Sequence, residues 1–321
     1  LNNESKKLRV YFLGAGTIAA PVLAALVKAP EVNLVGAGTQ IDRPAGRNRV
    51  MTPTPVGIWA AANGIAIDKV PSVNAPEFLE KLAALQPQII LVISFGQLLK
   101  RDLLHLPGAT CVNIHASLLP SYRGASPITA SILHRDETTG VSFMQMEEGL
   151  DTGPVYCQLE YPLQGNETTD WLELQLGELA ANETVSVLQR IVNGELRPVA
   201  QDQGRVTMTR KITKHHGEID WHLPACQLEA MTRAFHPWPG AVFSLAAIGK
   251  DLHIRVVEAR VLSGFHGRPG EVLLADKRGW VIACGEHALE LLRVVPQGRK
   301  EMTGIEFLRG CRIEAGAMLA T

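Results

Sequence analysis

The chain has 321 residues, 46% hydrophobic and 20% charged, with a formal net charge of −1. That suits two globular domains with sizeable cores, and no window approaches the length needed to span a bilayer. Its five cysteines are odd in number and form no CxxC pair, which argues against a disulfide framework and against a zinc site.

The net charge conceals an asymmetry. Residues 1–204 carry 15 Lys and Arg against 20 Asp and Glu, and residues 205–321 carry 16 against 12. A basic back half suggests an anionic partner, although a solvated face would look the same. The opening LNNESKKLRV has no long apolar run, so no signal peptide is expected. The default is a cytoplasmic enzyme or binding protein.

In chain order, Leu8–Leu13 is a short apolar run that reads as a buried strand, Gly14-Ala15-Gly16-Thr17 as a turn, Ala19–Ala29 as a helix and Val32–Thr39 as a second strand. Strand, glycine turn, helix, strand is a βαβ unit and predicts a parallel sheet. The turn also fits the dinucleotide fingerprint, with Ala19 in its last place. A nicotinamide site needs an acid at the end of the second strand, and Gly38-Thr39-Gln40 stands there. The other reading is that the glycines only permit close packing. The breakers and arginines of Gln40–Thr54 predict an exposed basic loop, either solvated or touching phosphate through Arg43, Arg47 and Arg49.

Asn74-Ala75-Pro76-Glu77 resembles a capping box, and Phe78, Leu79, Leu82 and Leu85 follow at helical spacing as core. Ile89–Ser94 and Cys111–His115 read as further buried strands covered on both faces. Gly96-Gln97 and His115–Pro120 then lie at the carboxyl ends of strands, where ligands bind in open α/β sheets. A helical segment follows, then a strand over Val141–Glu147 whose loop holds Asp151. Gly149 and Gly153 are expected to turn the backbone around that carboxylate.

Thr169–Asn193 is a long helical pattern stopped by Gly194, and Arg205, Arg210, Lys211 and Lys214 make a basic connector. Beyond it come a helical segment, Pro224–Phe235, and short β-rich runs at Ala241–Leu245, Leu252–Val257, Glu271–Leu274, Trp280–Cys284 and Leu289–Val294. Their number and spacing suggest a small barrel of the oligonucleotide-binding (OB) type. The expected fold class is therefore α/β: a Rossmann-like, mostly parallel sheet domain (1–196), a basic linker (197–215) and a small OB-like β-barrel domain (216–321).

Asn113 and His115 lie two apart on one strand and so point to one face. Histidine titrates near neutrality, at about 6.5 when unperturbed. An amide donor and an imidazolium oriented by Asp151 would stabilise the oxyanion formed when an amine attacks a carbonyl. A lone histidine after a strand is often structural. Asp151-Thr152-Gly153 is also the aspartic protease signature, but this chain has one copy where that chemistry pairs two.

Val112-Asn113-Ile114-His115-Ala116-Ser117-Leu118-Leu119-Pro120, Arg123-Gly124-Ala125-x-Pro127-Ile128, Gly140-x-Ser142 and Leu150-Asp151-Thr152-Gly153 together resemble the folate-dependent formyltransferases. Gln40-x-Asp42-Arg43-Pro44-Ala45-Gly46-Arg47, Ile219-Asp220-Trp221 and Phe235-His236-Pro237-Trp238-Pro239 resemble the branch that acts on methionyl initiator tRNA. The likeness covers nearly the whole chain. Gly14-Ala15-Gly16 departs from the family's usual Gly-Thr-Pro, Tyr122 from tryptophan and His236 from asparagine.

The resemblance implies 10-formyltetrahydrofolate as formyl donor, without a metal, and the α-amine of methionyl initiator tRNA as acceptor. Asn113, His115 and Asp151 match the catalytic trio, and Ser117, Leu118, Leu119 and Pro120 the folate-binding segment. Arg43, Arg47, Arg49, Arg210 and Lys211 match tRNA-binding positions. A monomer is expected, with no membrane partner. The alternatives are formyl transfer to a small amine such as glycinamide ribonucleotide or an amino sugar nucleotide, a nicotinamide dehydrogenase, and an inactive RNA-binding protein.

Overall fold

The computed structural model describes residues 7–46, 49–247 and 250–319. The chain divides into two compact units. One holds the described residues up to Pro127, with Thr138–Pro162 and Leu172–Thr209; the other holds Ile128–Glu137, Leu163–Trp171 and the described residues from Arg210 on.

The elements run β1 (Leu8–Gly14), α1 (Ala19–Lys28), β2 (Val32–Gln40), β3 (Arg43–Ala45), β4 (Val50–Thr52), α2 (Pro55–Ala62), β5 (Asp68–Val70), α3 (Pro76–Leu85), β6 (Ile89–Ile93), α4 (Arg101–Leu104) and β7 (Thr110–His115). Next come β8 (Arg123–Gly124), α5 (Pro127–Leu133), β9 (Thr138–Gln145), β10 (Val155–Pro162), α6 (Thr169–Val192) and β11 (Met208–Thr209). The first unit is built on a seven-stranded sheet ordered β10-β9-β7-β6-β1-β2-β5. β5, β2, β1, β6 and β7 are parallel, whereas β9 runs antiparallel to both of its neighbours, β7 and β10. The Rossmann-like expectation holds, with one reversed strand, β9, next to the edge strand β10.

β6 is buried at every position. Its unbroken apolar run suits a strand covered on both faces. On one face Tyr11, Leu13, Ile90, Val92 and Cys111 pack with Leu82 of α3 and partly buried Phe78, Leu79 and Leu85. The expected capping box at Asn74 does not form. Ala75 is the N-cap without a side-chain bond, Pro76 opens the helix, and Asn74 instead bonds the Leu98 carbonyl and the Lys100 amide.

Within the stretch expected as an exposed basic loop, the described residues include two short strands. β3 and β4 form a two-stranded ribbon, and Gly46 and Arg49 take left-handed backbone conformations. Arg43 and Arg49 are exposed, and so are Val50 (62%) and Met51 (58%). Arg47 lies outside the described residues.

The second unit adds α7 (Ala225–Ala234), β12 (Ala241–Ala247), β13 (Lys250–Leu262), β14 (Val272–Asp276), β15 (Gly279–Ala283), β16 (Ala288–Pro296), β17 (Met302–Thr303) and α8 (Gly304–Gly310). The strands form an antiparallel sheet ordered β12-β13-β16-β15-β14, with β17 on β16. Trp221 and Trp280 anchor its core. Phe243 meets each edge-on, and Phe307 stacks on Trp280 at 5.0 Å between ring centroids. Ile219-Asp220-Trp221 is thereby explained: the two apolar members are buried, and Asp220 accepts from the His222 amide. α8 and β17 escaped the sequence reading because their runs are short. Among the described residues no helix is long and apolar enough to cross a membrane.

Candidate active site

β1 sits where the strand order turns, with β2 on one side and β6 on the other. In open α/β sheets that switch point is the usual ligand crevice. Here the chain fills it. A Cβ at Gly14 would meet the Phe12 ring and Ala19, and one at Gly16 would meet the Ser94 hydroxyl and the Glu173 carboxylate. The Ile18 amide donates to Glu173 Oε1 of α6 at 3.3 Å. The glycines serve close packing, and a protein carboxylate occupies one of the amides at the helix start, where phosphates bind in dinucleotide sites.

The site lies further along the sheet, at the end of β7. Asn113 pairs in register with Val92 and Met144, and His115 with Ser142. Asn113 is half-buried, and its side-chain amide makes no hydrogen bond among the described residues. His115 is buried; its Nε2 lies 2.9 Å from the Tyr122 carbonyl oxygen and its Nδ1 3.7 Å from Asp151 Oδ2. An N–H on Nε2 therefore donates to Tyr122. The opposite edge of the ring faces a carboxylate across a gap too wide for a direct hydrogen bond.

How Asp151 reaches His115 follows from the reversal of β9. Met146, just past β9, donates its amide to the Cys111 carbonyl near the start of β7. His115 lies four residues further along β7, or about 13 Å at the rise of a strand. Residues 147–154 must fold back over that distance to set Asp151 beside the ring. Asp151 itself adopts the left-handed conformation, with φ 52°, where a turn at Gly149 and Gly153 was expected. Asp tolerates this region better than most residues. Gly153 is needed for close approach instead, because a Cβ there would strike the Gln145 carbonyl.

Three contacts hold the returning loop. The Gly124 amide donates to Asp151 Oδ2 at 2.9 Å. Gln201 Nε2 donates to the carbonyls of Asp151 and Gly153, at 2.9 and 2.7 Å. Arg123 in turn donates to Gln201 Oε1 through Nε and Nη2, at 3.0 and 2.8 Å. The stretch from Val199 to Thr209 is thus tied down: Val199 bridges Val155, Thr207 bonds Pro120, Tyr122 and Arg123, and β11 pairs with β8. The sequence reading missed Gln201, and no local pattern marks it.

Ser117–Pro120 is braced from below. Fully buried Ser142 donates to the Ser117 carbonyl at 2.6 Å and accepts from the Leu119 amide at 3.0 Å and Gln158 Nε2 at 2.9 Å. The Ser117 hydroxyl is spent on the Ser121 carbonyl, and Gln158 also bonds the Leu119 carbonyl. What this segment offers outward is the half-exposed apolar surface of Leu118 and Pro120. Gly140-x-Ser142 fits the same brace, since a Cβ at Gly140 would collide with the Leu159 carbonyl and Leu118. Arg210 and Lys211 are exposed. Among the described residues no group of three His, Cys, Asp or Glu side chains is placed to hold a metal ion.

Comparison with known proteins gives this geometry a family. Residues 7–188 match the formyl transferase model, and residues 211–312 match the formyl transferase C-terminal domain. The methionyl-tRNA formyltransferase of Acidithiobacillus ferrooxidans is 40% identical over 316 residues, covering 98% of this chain and 99% of that protein. That of Aromatoleum aromaticum is 41% identical over 310 residues, 96% of each. Two solved structures share the fold at low identity. The methionyl-tRNA formyltransferase from Clostridium thermocellum has a TM-score of 0.57 at 14% identity, covering 80% of this chain and 95% of that one. HypX from Aquifex aeolicus in complex with tetrahydrofolic acid has a TM-score of 0.62 at 15% identity; the match covers 98% of this chain and about half, 51%, of HypX. By both its sequence and the two domain models that it matches, the chain belongs to the formyl transferase family.

Proposed function

We propose that this chain transfers a formyl group from 10-formyltetrahydrofolate to the α-amine of methionyl initiator tRNA. The observation that carries the reading is an uncommitted Asn113 amide on the same strand face as a histidine that is itself held beside Asp151. The near-full-length relatives named for this reaction support the choice of acceptor.

In the proposed reaction the neutral amine attacks the formyl carbon. A C–N bond forms to the amine, the bond from the formyl carbon to folate N10 breaks, and the amine's proton ends on N10. Asn113 donates to the oxygen that gains charge. Such a donor acts only as the charge develops, and one donor is typically worth about 100- to 1000-fold in rate. His115 works at its Nδ1 edge, where the open gap to Asp151 leaves room for a proton in transit. Asp151 orients the ring and balances its charge. Ser117–Pro120 seat the folate through the apolar faces of Leu118 and Pro120. Arg43, Arg47, Arg49, Arg210 and Lys211 hold tRNA phosphates. The catalytic domain, basic linker and carboxyl-terminal β domain divide the work in that order, and the site requires no metal.

Transfer of labelled formyl from 10-formyltetrahydrofolate to charged initiator tRNA tests this, with uncharged tRNA, glycinamide ribonucleotide and an amino sugar nucleotide as competing acceptors. The charged tRNA should be the one labelled, and His115→Ala should lower turnover at least about 100-fold while tRNA affinity stays unchanged. Labelling of a small amine alone, or near-normal turnover in the variant, refutes the assignment.

A further inference from the structure

We propose that Gln201 is a positioning residue for the reaction, a clamp that sets Asp151 against His115; this rests on the formyl-transfer reading above. Gln201 is 9% exposed. A primary amide has two N–H donors and two acceptor lone pairs. All four are in use: Nε2 on the carbonyls of Asp151 and Gly153, Oε1 on Nε and Nη2 of Arg123.

The other end of the clamp is unusual. Arg123 is 4% exposed, yet among the described residues no carboxylate pairs with it; its guanidinium meets the amide oxygens of Gln201 and Gln203. A buried guanidinium with only neutral acceptors carries a desolvation cost that those acceptors offset only in part. Its backbone neighbours show what it positions. The residue before it, Tyr122, holds His115 through its carbonyl, and the residue after it, Gly124, holds the Asp151 carboxylate through its amide. His115, Tyr122, Arg123, Gln201 and Asp151 therefore close a ring of contacts. Within that ring the left-handed backbone of Asp151 is fixed at its carbonyl by Gln201 alone among side chains with a described hydrogen bond to it.

The chemistry of the clamp separates positioning from folding. In Gln201→Glu the carboxylate keeps the partner that Arg123 needs and gives that buried cation a counter-charge. The same carboxylate would face the Asp151 and Gly153 carbonyl oxygens with no proton to donate, and would push the loop off. Displacement by about 1 Å can cost about 100-fold in rate.

The test compares wild type and Q201E as full chains. Expected for Q201E are an unfolding midpoint at or above that of wild type, a kcat lowered at least about tenfold, and KM within about twofold for both substrates. The His115 imidazole resonances, followed by NMR without substrate, should move while those of exposed His253 stay. A folded Q201E with wild-type kcat, or with unmoved His115 resonances, overturns the proposal. Should Q201E not fold, Gln201→Met, similar in volume and lacking both bonds, is scored on the same two readouts. If the wild-type chain formylates no methionyl-tRNA, the functional reading fails, and the NMR comparison still decides whether Gln201 sets the ring's surroundings.

Discussion

Replacing Ser142 with alanine takes one oxygen out of a fully buried site. That oxygen donates to the Ser117 carbonyl at 2.6 Å and accepts from the Leu119 amide at 3.0 Å and Gln158 at 2.9 Å. Gln158 keeps its bond to the Leu119 carbonyl, so it loses little. The Ser117 carbonyl and the Leu119 amide are each left without that partner in the interior. A buried group left unsatisfied costs about 1–3 kcal/mol, so two of them predict a loss of about 2–4 kcal/mol once partial relaxation is allowed. Urea unfolding of the full chain at constant slope reads this as a shift of the midpoint. The same oxygen braces the segment assigned to folate. If about 1.4 kcal/mol of the damage is expressed as loosening of Ser117–Pro120, KM for 10-formyltetrahydrofolate rises about tenfold with a smaller change in kcat. A stability change below about 0.5 kcal/mol with an unchanged donor KM would refute the reasoning, because a surface substitution does no more than that.

Two more outcomes follow from other parts of the molecule. Removing Arg43, Arg47 and Arg49 together should weaken tRNA binding and flatten the plot of log affinity against log salt by about 0.7–0.9 for each phosphate that is no longer neutralised; an unchanged slope would mean the ribbon is only solvated. Burial pushes the Cys111 thiol from its ordinary value of 9.0 up to about 12. Above pH 9 the unfolded thiol ionises while the folded one keeps its proton, so the folded state binds more protons and loses stability as pH rises towards 12. The slope is about 1.4 kcal/mol per pH unit for this one group, and Cys111→Ala should remove that share from stability measured between pH 9 and 11.

What could be read from the chain, and what could not, divides by range of interaction. β6 was legible because five consecutive apolar residues leave a strand little choice but burial on both faces. Asn113 and His115 were legible as a pair because strand geometry alone puts them on one face. The direction of β9 was not, since the alternation of Thr138–Gln145 suits a strand of either sense and its antiparallel pairing with β7 is a long-range contact. With that direction unseen, Asp151 looked like a residue at a simple strand end, and its glycine neighbours looked like the cause of the turn. Gln201 was invisible for a related reason: its partners lie 78 and 50 residues away. Asn74 misled because the helix that follows starts on Pro76, which already satisfies the first turn's need for one fewer donor.

The Glu173 carboxylate has a bearing on what this scaffold can be made to accept. The Ile18 amide, just after the glycine turn, donates to a side chain 155 positions later in the chain, carried on α6. The partner of this helix-start amide is thus supplied from outside the glycine motif. A carboxylate held there also disfavours an anion at the same amide, so a design that seeks to seat a phosphate on this framework has position 173 to change as well as the turn.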